Sequence, residues 1–516
     1  MKKKFSFAVI VILIIIFLLS VVARLPNINR PLSKHHEFVT AISLRIISIW
    51  QMEGAAKYHF NPVMNYPGAA NKYINKFAST TGKMVDAEGN YYYVSHPQFA
   101  YIFPYLIFQL FHVKATVLAI EIFNLVINFI SALFVYLIIC LLLRKEPFER
   151  INCSGLCGFL VYLFSAGVLW FQCNTYMSDM LVHLFFVIAV YYLLQLVIKN
   201  RTSGKYIILY AATLFLMIYT SWLGIIFAFC VFLYSLIWLR KERIFVIVTL
   251  VTILVSIAAI GAFVYQYSLI NGLGSYLDQL KNRLQLRSGL EGSSTLLMQL
   301  KDYFRFSVYI ISNYITSYFP FILLLGVFIY CTMKKRELNL KLNQRNFLFI
   351  WISASPIILL HTFLSEYSGH DFTSLYGSLF LSVTIALFFD KLKRIKAITF
   401  GRLRLLVLLA IVISLSSYYY INRPGKFSFK GDVYSISKQL GLEIRNTSTN
   451  EAVIFTLGNA EIDPQLIYYA QRNIKGITTK EEAFNFLRFR HIKHGFIYYS
   501  SNAKNPLFDK IEEISL

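Results

Sequence analysis

Uncharged apolar runs long enough to cross a bilayer recur along this chain almost to its end, and no other feature constrains the fold as strongly. In lipid such a run must be helical, because hydrocarbon offers no partner for free backbone amides. The runs fall at 5–23, 115–143, 155–171, 179–198, 206–220, 223–239, 244–267, 308–331, 347–364, 373–390 and 405–421. The expected fold class is therefore an α-helical multi-pass membrane protein with about eleven transmembrane helices. With 57% hydrophobic and 15% charged residues, the composition argues against a soluble domain. The first run follows Met1-Lys2-Lys3-Lys4 and is too long for a signal-peptide core, so it reads as an uncleaved helix with its N-terminus inside.

Charge placement sets the orientation. A formal charge of +24 invites a nucleic-acid reading, but the basic residues sit in short clusters between apolar runs. Alternating the spans from an inside start makes 1–4, 144–150, 199–205, 240–243, 332–346 and 391–404 cytoplasmic. Together these hold 23 Lys and Arg, whereas the short outer turns 172–178, 221–222 and 365–372 hold none. That contrast is the positive-inside pattern. Three longer segments then lie outside: 24–114, 268–307 and 422–516.

The last of these changes character. Glu451–Gly458 and Gly495–Ser500 read as buried strands, with helical patterns near Val433–Leu442, Pro464–Arg472 and Glu481–Arg488. The expected organisation is a transmembrane domain over 1–421 and a small extracytoplasmic α/β domain over 422–516. Six scattered cysteines imply packing residues rather than a disulfide framework.

The outer loop 24–114 carries the densest chemistry. Lys34-His35-His36-Glu37 precedes Phe38–Gly54, whose apolar spacing suggests an amphipathic helix lying on the membrane surface. Glu37 can act there as a general base or metal ligand, or simply as a helix-start charge favoured by the macrodipole. Further on, His96 is held extended by Pro97, ahead of the interfacial apolar stretch Phe99–Phe111. Asp179 opens a span with His183 one turn later, and the turn 365–372 gathers His370 and Asp371. For both the plain alternative is a helix-start charge or a solvated turn. Arg287 and Arg305 are basic residues of an outer segment, suited either to phosphate or to anionic lipid heads.

In this order the features resemble the GT-C glycosyltransferases, the membrane group that includes protein O-mannosyltransferases and lipid A aminoarabinose transferases. The resemblance rests on Glu37 within His35-His36-Glu37-Phe38, on His96-Pro97-Gln98, and on Asn174-Thr175-Tyr176-Met177-Ser178-Asp179. Glu37 stands where most members show Asp, and Gln98 where a second proline is usual. The resemblance implies transfer of a sugar from a polyprenyl-phosphate donor to a hydroxyl of a lipid, glycan or protein acceptor on the outer face, with inversion. Glu37 and Asp179 would be catalytic, with either one open to a divalent metal ion. His36, His96, His370, Asp371, Arg287 and Arg305 would contact substrate. The expectation is that these residues share one outer cavity. The rival is a transporter or flippase of lipid-linked saccharides, which calls for inverted repeats and mid-span ionisable residues.

Overall fold

A computed structural model describes residues 6–32, 35–74, 84–199, 203–240, 242, 244–289, 296–335, 343–421, 435–458, 462–500 and 508–516. Lys34, segment 1–4 and the start of the pattern at Val433 lie outside these residues. The membrane part runs through helices α1 (Phe7–Arg24), α2 (Phe38–Glu53), α3 (Phe99–Leu110), α4 (Val117–Leu142), α5 (Cys153–Phe164), α6 (Ala166–Phe171), α7 (Ser178–Ile198) and α8 (Gly204–Ile218). It continues through α9 (Trp222–Tyr234), α10 (Ile244–Ser288), α11 (Leu296–Lys334), α12 (Gln344–Phe363), the short α13 (Ser365–Ser368), α14 (Gly377–Arg394) and α15 (Phe400–Ile421).

Among the described residues nine helices are long and apolar enough to cross a membrane: α1, α4, α7, α9 with its π-helical end, α10, α11, α12, the stretch Asp371–Arg394 and α15. The two further spans expected from the sequence are present but shorter. Run 155–171 is split into α5 and α6 at Ser165, whose ψ of 134° leaves the helix. Run 206–220 becomes the 15-residue α8. The core of the bundle is α4, α7 and Asp371–Arg394, with 67%, 72% and 67% of their most apolar windows buried. By contrast α1, α10 and α15 expose apolar side chains such as Leu19, Leu254 and Val412, the surface that suits lipid.

Two sequence expectations are revised. The segment 268–307 is not a loop, since α10 and α11 continue as helices through most of it. Asn271 and Gly272 break α10, Gly272 adopting φ 80° and ψ 160°, and the helix beyond is re-aimed. Nor does α2 lie on a surface, because residues 39–50 are all buried, Arg45 included. One face packs on α3, and the other is covered by α17 (Pro464–Ala470) from the C-terminal part. Burial lowers the Arg45 pKa to about 10, and its guanidinium lies 5.5 Å over the Tyr66 ring.

Beyond α15 come α16 (Ser435–Thr447), β1 (Val453–Gly458), α17, β2 (Ile474–Ile477), α18 (Lys480–Arg490), β3 (His494–Ser500) and β4 (Lys510–Ser515). The strands form one sheet in the order β2-β1-β3-β4, with only β4 antiparallel. Helix-covered parallel strands need apolar residues on both faces, as Val453-Ile454-Phe455 provides. This unit is fastened to the outer loop through Asn473, whose Oδ1 accepts from the Tyr66 amide at 3.1 Å. Its carbonyl accepts from the Tyr73 hydroxyl at 2.6 Å.

The two ends of the bundle differ in kind. One gathers the outer loop, the α12–α14 connection and the sheet unit. The other gathers cations, with Lys145 Nζ 2.8 Å from Asp390 Oδ1 and Arg345 Nη1 donating to the Leu142 carbonyl at 3.2 Å.

Candidate active site

Consecutive side chains of an extended chain point to opposite sides. At His36 the backbone enters the left-handed region, φ 55°, and two adjacent imidazoles face one carboxylate instead. His35 Nε2 lies 2.8 Å from Asp371 Oδ2, and His36 Nε2 lies 3.1 Å from Asp371 Oδ1. A non-glycine residue held there stores strain that its surroundings must enforce. Asp371 opens the 3-10 turn Asp371–Tyr376, ahead of α14. His370 stands edge-on to His36 with ring centres 5.3 Å apart, and stacks on Phe372. Burial first, then the charges of His36 and Arg287, lower the His370 pKa to about 4.

Glu37 precedes α2 but makes no capping bond to it. Arg30 grips the carboxylate bidentately, Nη1 lying 3.1 Å from Oε2 and Nη2 bonding Oε1. Burial opposes the Arg30 charge most strongly, but Glu37, Glu121 and Tyr418 together raise the guanidinium pKa. The Arg30 guanidinium lies 5.3 Å over the Trp170 ring, and the His35 ring is 5.8 Å from the same indole. Trp170 thus stands between a Glu37–Arg30 half and a histidine–aspartate half. On the Glu37 side, Glu121 is buried near the start of α4 and accepts from the Asn29 amide at 2.7 Å.

Asp179, fully buried at the start of α7, accepts from the hydroxyls of Tyr367 and Tyr376 and, at 3.2 Å, from Ser178. Tyr367 is the hub between the separate carboxylates. Its ring centre is 5.7 Å from that of His96 and 6.3 Å from that of His370. His96 is buried with neither ring nitrogen hydrogen-bonded, and burial, followed by Arg287 and Arg283, lowers its pKa to about 3. It lines a cavity of about 300 Å³ with Arg283, Arg287 and Tyr367, walled by Trp222, Ile225 and Leu284. The kink at Gly272 directs the end of α10 to this cavity, and the four-residue spacing of Arg283 and Arg287 sets both on one face. Arg287 Nη1 lies 3.0 Å from Glu366 Oε2.

His36, His370, Asp371, His96, Asp179 and Arg287 are therefore linked through Tyr367, with Glu37 across Trp170. Arg305 stands apart, with 54% of its side chain exposed and paired to Asp302 one turn away. His183 is also separate, bonded to Ser378 at 3.2 Å and stacked on Tyr162. The sequence reading did not single out Arg30, Glu121, Tyr367 or Tyr376. Glu121 carried a usable signal as the lone acid in the run 117–142. Two tyrosines among 35 carried none.

No family model and no curated protein matches this sequence. Solved structures match in fold. Archaeal oligosaccharyltransferase AglB from Archaeoglobus fulgidus, in complex with an inhibitory peptide and a dolichol-phosphate, aligns at 12% identity over 95% of this chain and 69% of its own, with TM-score 0.57. The same protein in complex with Zn and sulfate aligns at 14% identity over 94% and 67%, with TM-score 0.53. ArnT from Cupriavidus metallidurans bound to undecaprenyl phosphate aligns at 11% identity over 96% and 92%, with TM-score 0.57. These are GT-C membrane proteins, and this chain has their fold.

Proposed function

We propose that this protein is a GT-C glycosyltransferase that moves a sugar from a polyprenyl-phosphate donor to an acceptor hydroxyl outside the membrane, with inversion. The observation that carries the reading is an apolar-walled cavity ending in Arg283 and Arg287, joined through Tyr367 to Asp179, His370 and the histidine–aspartate cluster. An isoprenoid phosphate has the matching shape, with a hydrocarbon tail for the walls and a dianion for the guanidinium forks. The fold neighbours support this, since AglB holds a dolichol-phosphate and ArnT undecaprenyl phosphate. The positive-inside rule makes the cationic end cytoplasmic and the site extracytoplasmic, along with the unit over 422–516. That unit would present the lipid, glycan or protein acceptor.

In this mechanism Arg283 and Arg287 stabilise the charge that develops on the departing phosphate. His96, kept neutral by burial, orients an oxygen of the same group. Glu37 takes the proton of the attacking hydroxyl, and Arg30 fixes the direction of its carboxylate. Asp179 positions Tyr367 between cavity and cluster. His35, His36 and Asp371 each bring a ligand atom within 4.8 Å of the other two. The His36 Nδ1 atom is buried without a partner, and two imidazoles with a carboxylate suit a divalent transition metal. A bound ion would supply further positive charge against the leaving group.

The test uses a labelled polyprenyl-phosphate sugar in membranes. Glu37→Gln, inserted normally, is expected to lower transfer by about a hundredfold or more. Chelation should lower it too, with recovery on adding a divalent salt in wild type but not in His36→Ala. Unchanged transfer by Glu37→Gln rejects the assigned base. Labelled lipid crossing the bilayer without transfer replaces the enzyme with a flippase.

A further inference from the structure

The cationic end of the bundle holds a second cavity of about 680 Å³, at the ends of α4, α12 and α14 and far from the histidines. Its lining divides by chemistry. Leu142, Phe349, Ile350, Leu387 and Phe388 form an apolar wall that follows the helices into the bilayer. Among the described residues, Arg144, Lys145, Arg345, Lys391, Lys393 and Arg394 form a rim of six cations with one acid, Asp390. Asp390 is shared by Lys145 and Arg394, so the rim keeps a large positive excess.

Part of this pattern needs no ligand. Lysine and arginine in the last turn of α14 complement its macrodipole and face the cytoplasm. Helix polarity does not account for Arg345. Arg345 stands in the first turn of α12, where the dipole disfavours a cation. It spends one of five N–H donors on the Leu142 carbonyl. Arg144 holds φ 56°, a backbone state at a helix end where glycine is the economical choice. Both border the same cavity.

We infer that this cavity binds the headgroup of an anionic phospholipid of the cytoplasmic leaflet, with its acyl chains along the wall of α12 and α14. The combined demand for a phosphate and for hydrocarbon selects a lipid over a soluble phosphate, and basic pockets between transmembrane helices are where anionic headgroups lodge. The bound lipid bridges α4, α12 and α14 at the end opposite the proposed reaction centre. It is distinct in place and leaflet from the donor cavity.

The full chain is placed in nanodiscs of phosphatidylcholine alone, with added phosphatidylglycerol, or with glycerol phosphate in the buffer. Thermal midpoint and lipids retained in native mass spectrometry are the readouts. Phosphatidylglycerol is expected to raise the midpoint, and glycerol phosphate to leave it unchanged. Arg144→Gly relieves the backbone while deleting the side chain. It should keep the phosphatidylcholine midpoint yet retain phosphatidylglycerol about tenfold less well, as expected for loss of one charge-assisted contact. Arg345→Gln should behave alike towards the anionic lipid. Equal midpoints in both lipids, wild-type retention by Arg144→Gly, or the same shift with glycerol phosphate would each overturn the assignment.

Discussion

His96 shows how far burial can decide the chemistry of one side chain. Its ring nitrogens have no hydrogen-bond partner, and its pKa is pressed from 6.5 to about 3. The folded chain holds it neutral, whereas the unfolded chain protonates it near pH 6.5. Between these values the unfolded state carries more protons, so stability rises with pH. The contribution is complete above about pH 6.5 and lost as pH falls towards the folded value, about 2 kcal/mol being gone by pH 5. Thermal midpoints in detergent should thus decline from pH 7 to pH 5, and less steeply in His96→Asn. Tyr367→Phe removes one of the three hydroxyls on Asp179. Leaving that buried carboxylate short of a donor should cost about 1–3 kcal/mol, read as a lower midpoint, with sugar transfer lowered as well. At this scale the sequence was legible where a residue type is scarce. Glu37 and Asp179 stand out in a chain with 26 acids, whereas Tyr367 is one of 35 tyrosines and acquires its place only by folding. Arg30 is hidden for another reason. It pairs with Glu37 outside any regular helix, so the seven-residue spacing carries no signal in the sequence.

Among the helices, length and hydropathy located nearly every apolar span, because the bilayer imposes one dimension on all of them. They say less about helix that continues past the lipid. The segment 268–307 lacks the uninterrupted apolar signal, and its helical character comes from packing against the α12–α14 connection. The kink in α10 is the element on which the cavity beside His96 depends. Gly272 has nothing within 4 Å of where a Cβ would stand, so its constraint is wholly one of backbone, at φ 80° and ψ 160°. Gly272→Ala is expected to cost about 1–3 kcal/mol or straighten the helix. Straightening would swing Arg283 and Arg287 away from His96. The kinetic sign is a raised KM for the lipid donor with a smaller change in kcat. The buried state of α2 was equally out of reach of periodicity. Its apolar stripe is real, but α17, more than 400 residues later, covers the face that would otherwise meet headgroups.

The assembled molecule is closed by contacts between parts remote in the chain. Asn473 receives the Tyr66 amide and the Tyr73 hydroxyl, and its own amide donates to Asn71 Oδ1 at 2.8 Å. Asn473→Ala removes the side-chain oxygen and leaves the buried Tyr66 amide unpaired, at a cost of about 1–3 kcal/mol. It should expose the outer loop to limited proteolysis while the transmembrane helices stay protected. Such pairings have no local signature, which is why β1 and β3 of the tail could be read from sequence but not β2, β4 or the surface the unit docks on. Nearer the site, the Tyr469 hydroxyl accepts from the Leu32 amide at 3.0 Å, three residues before His35. Leu32 leaves the ribosome 437 residues before Tyr469. A half-made chain, however well inserted, has its paired imidazoles unbraced, so membranes carrying stalled or truncated copies should gain no activity from them.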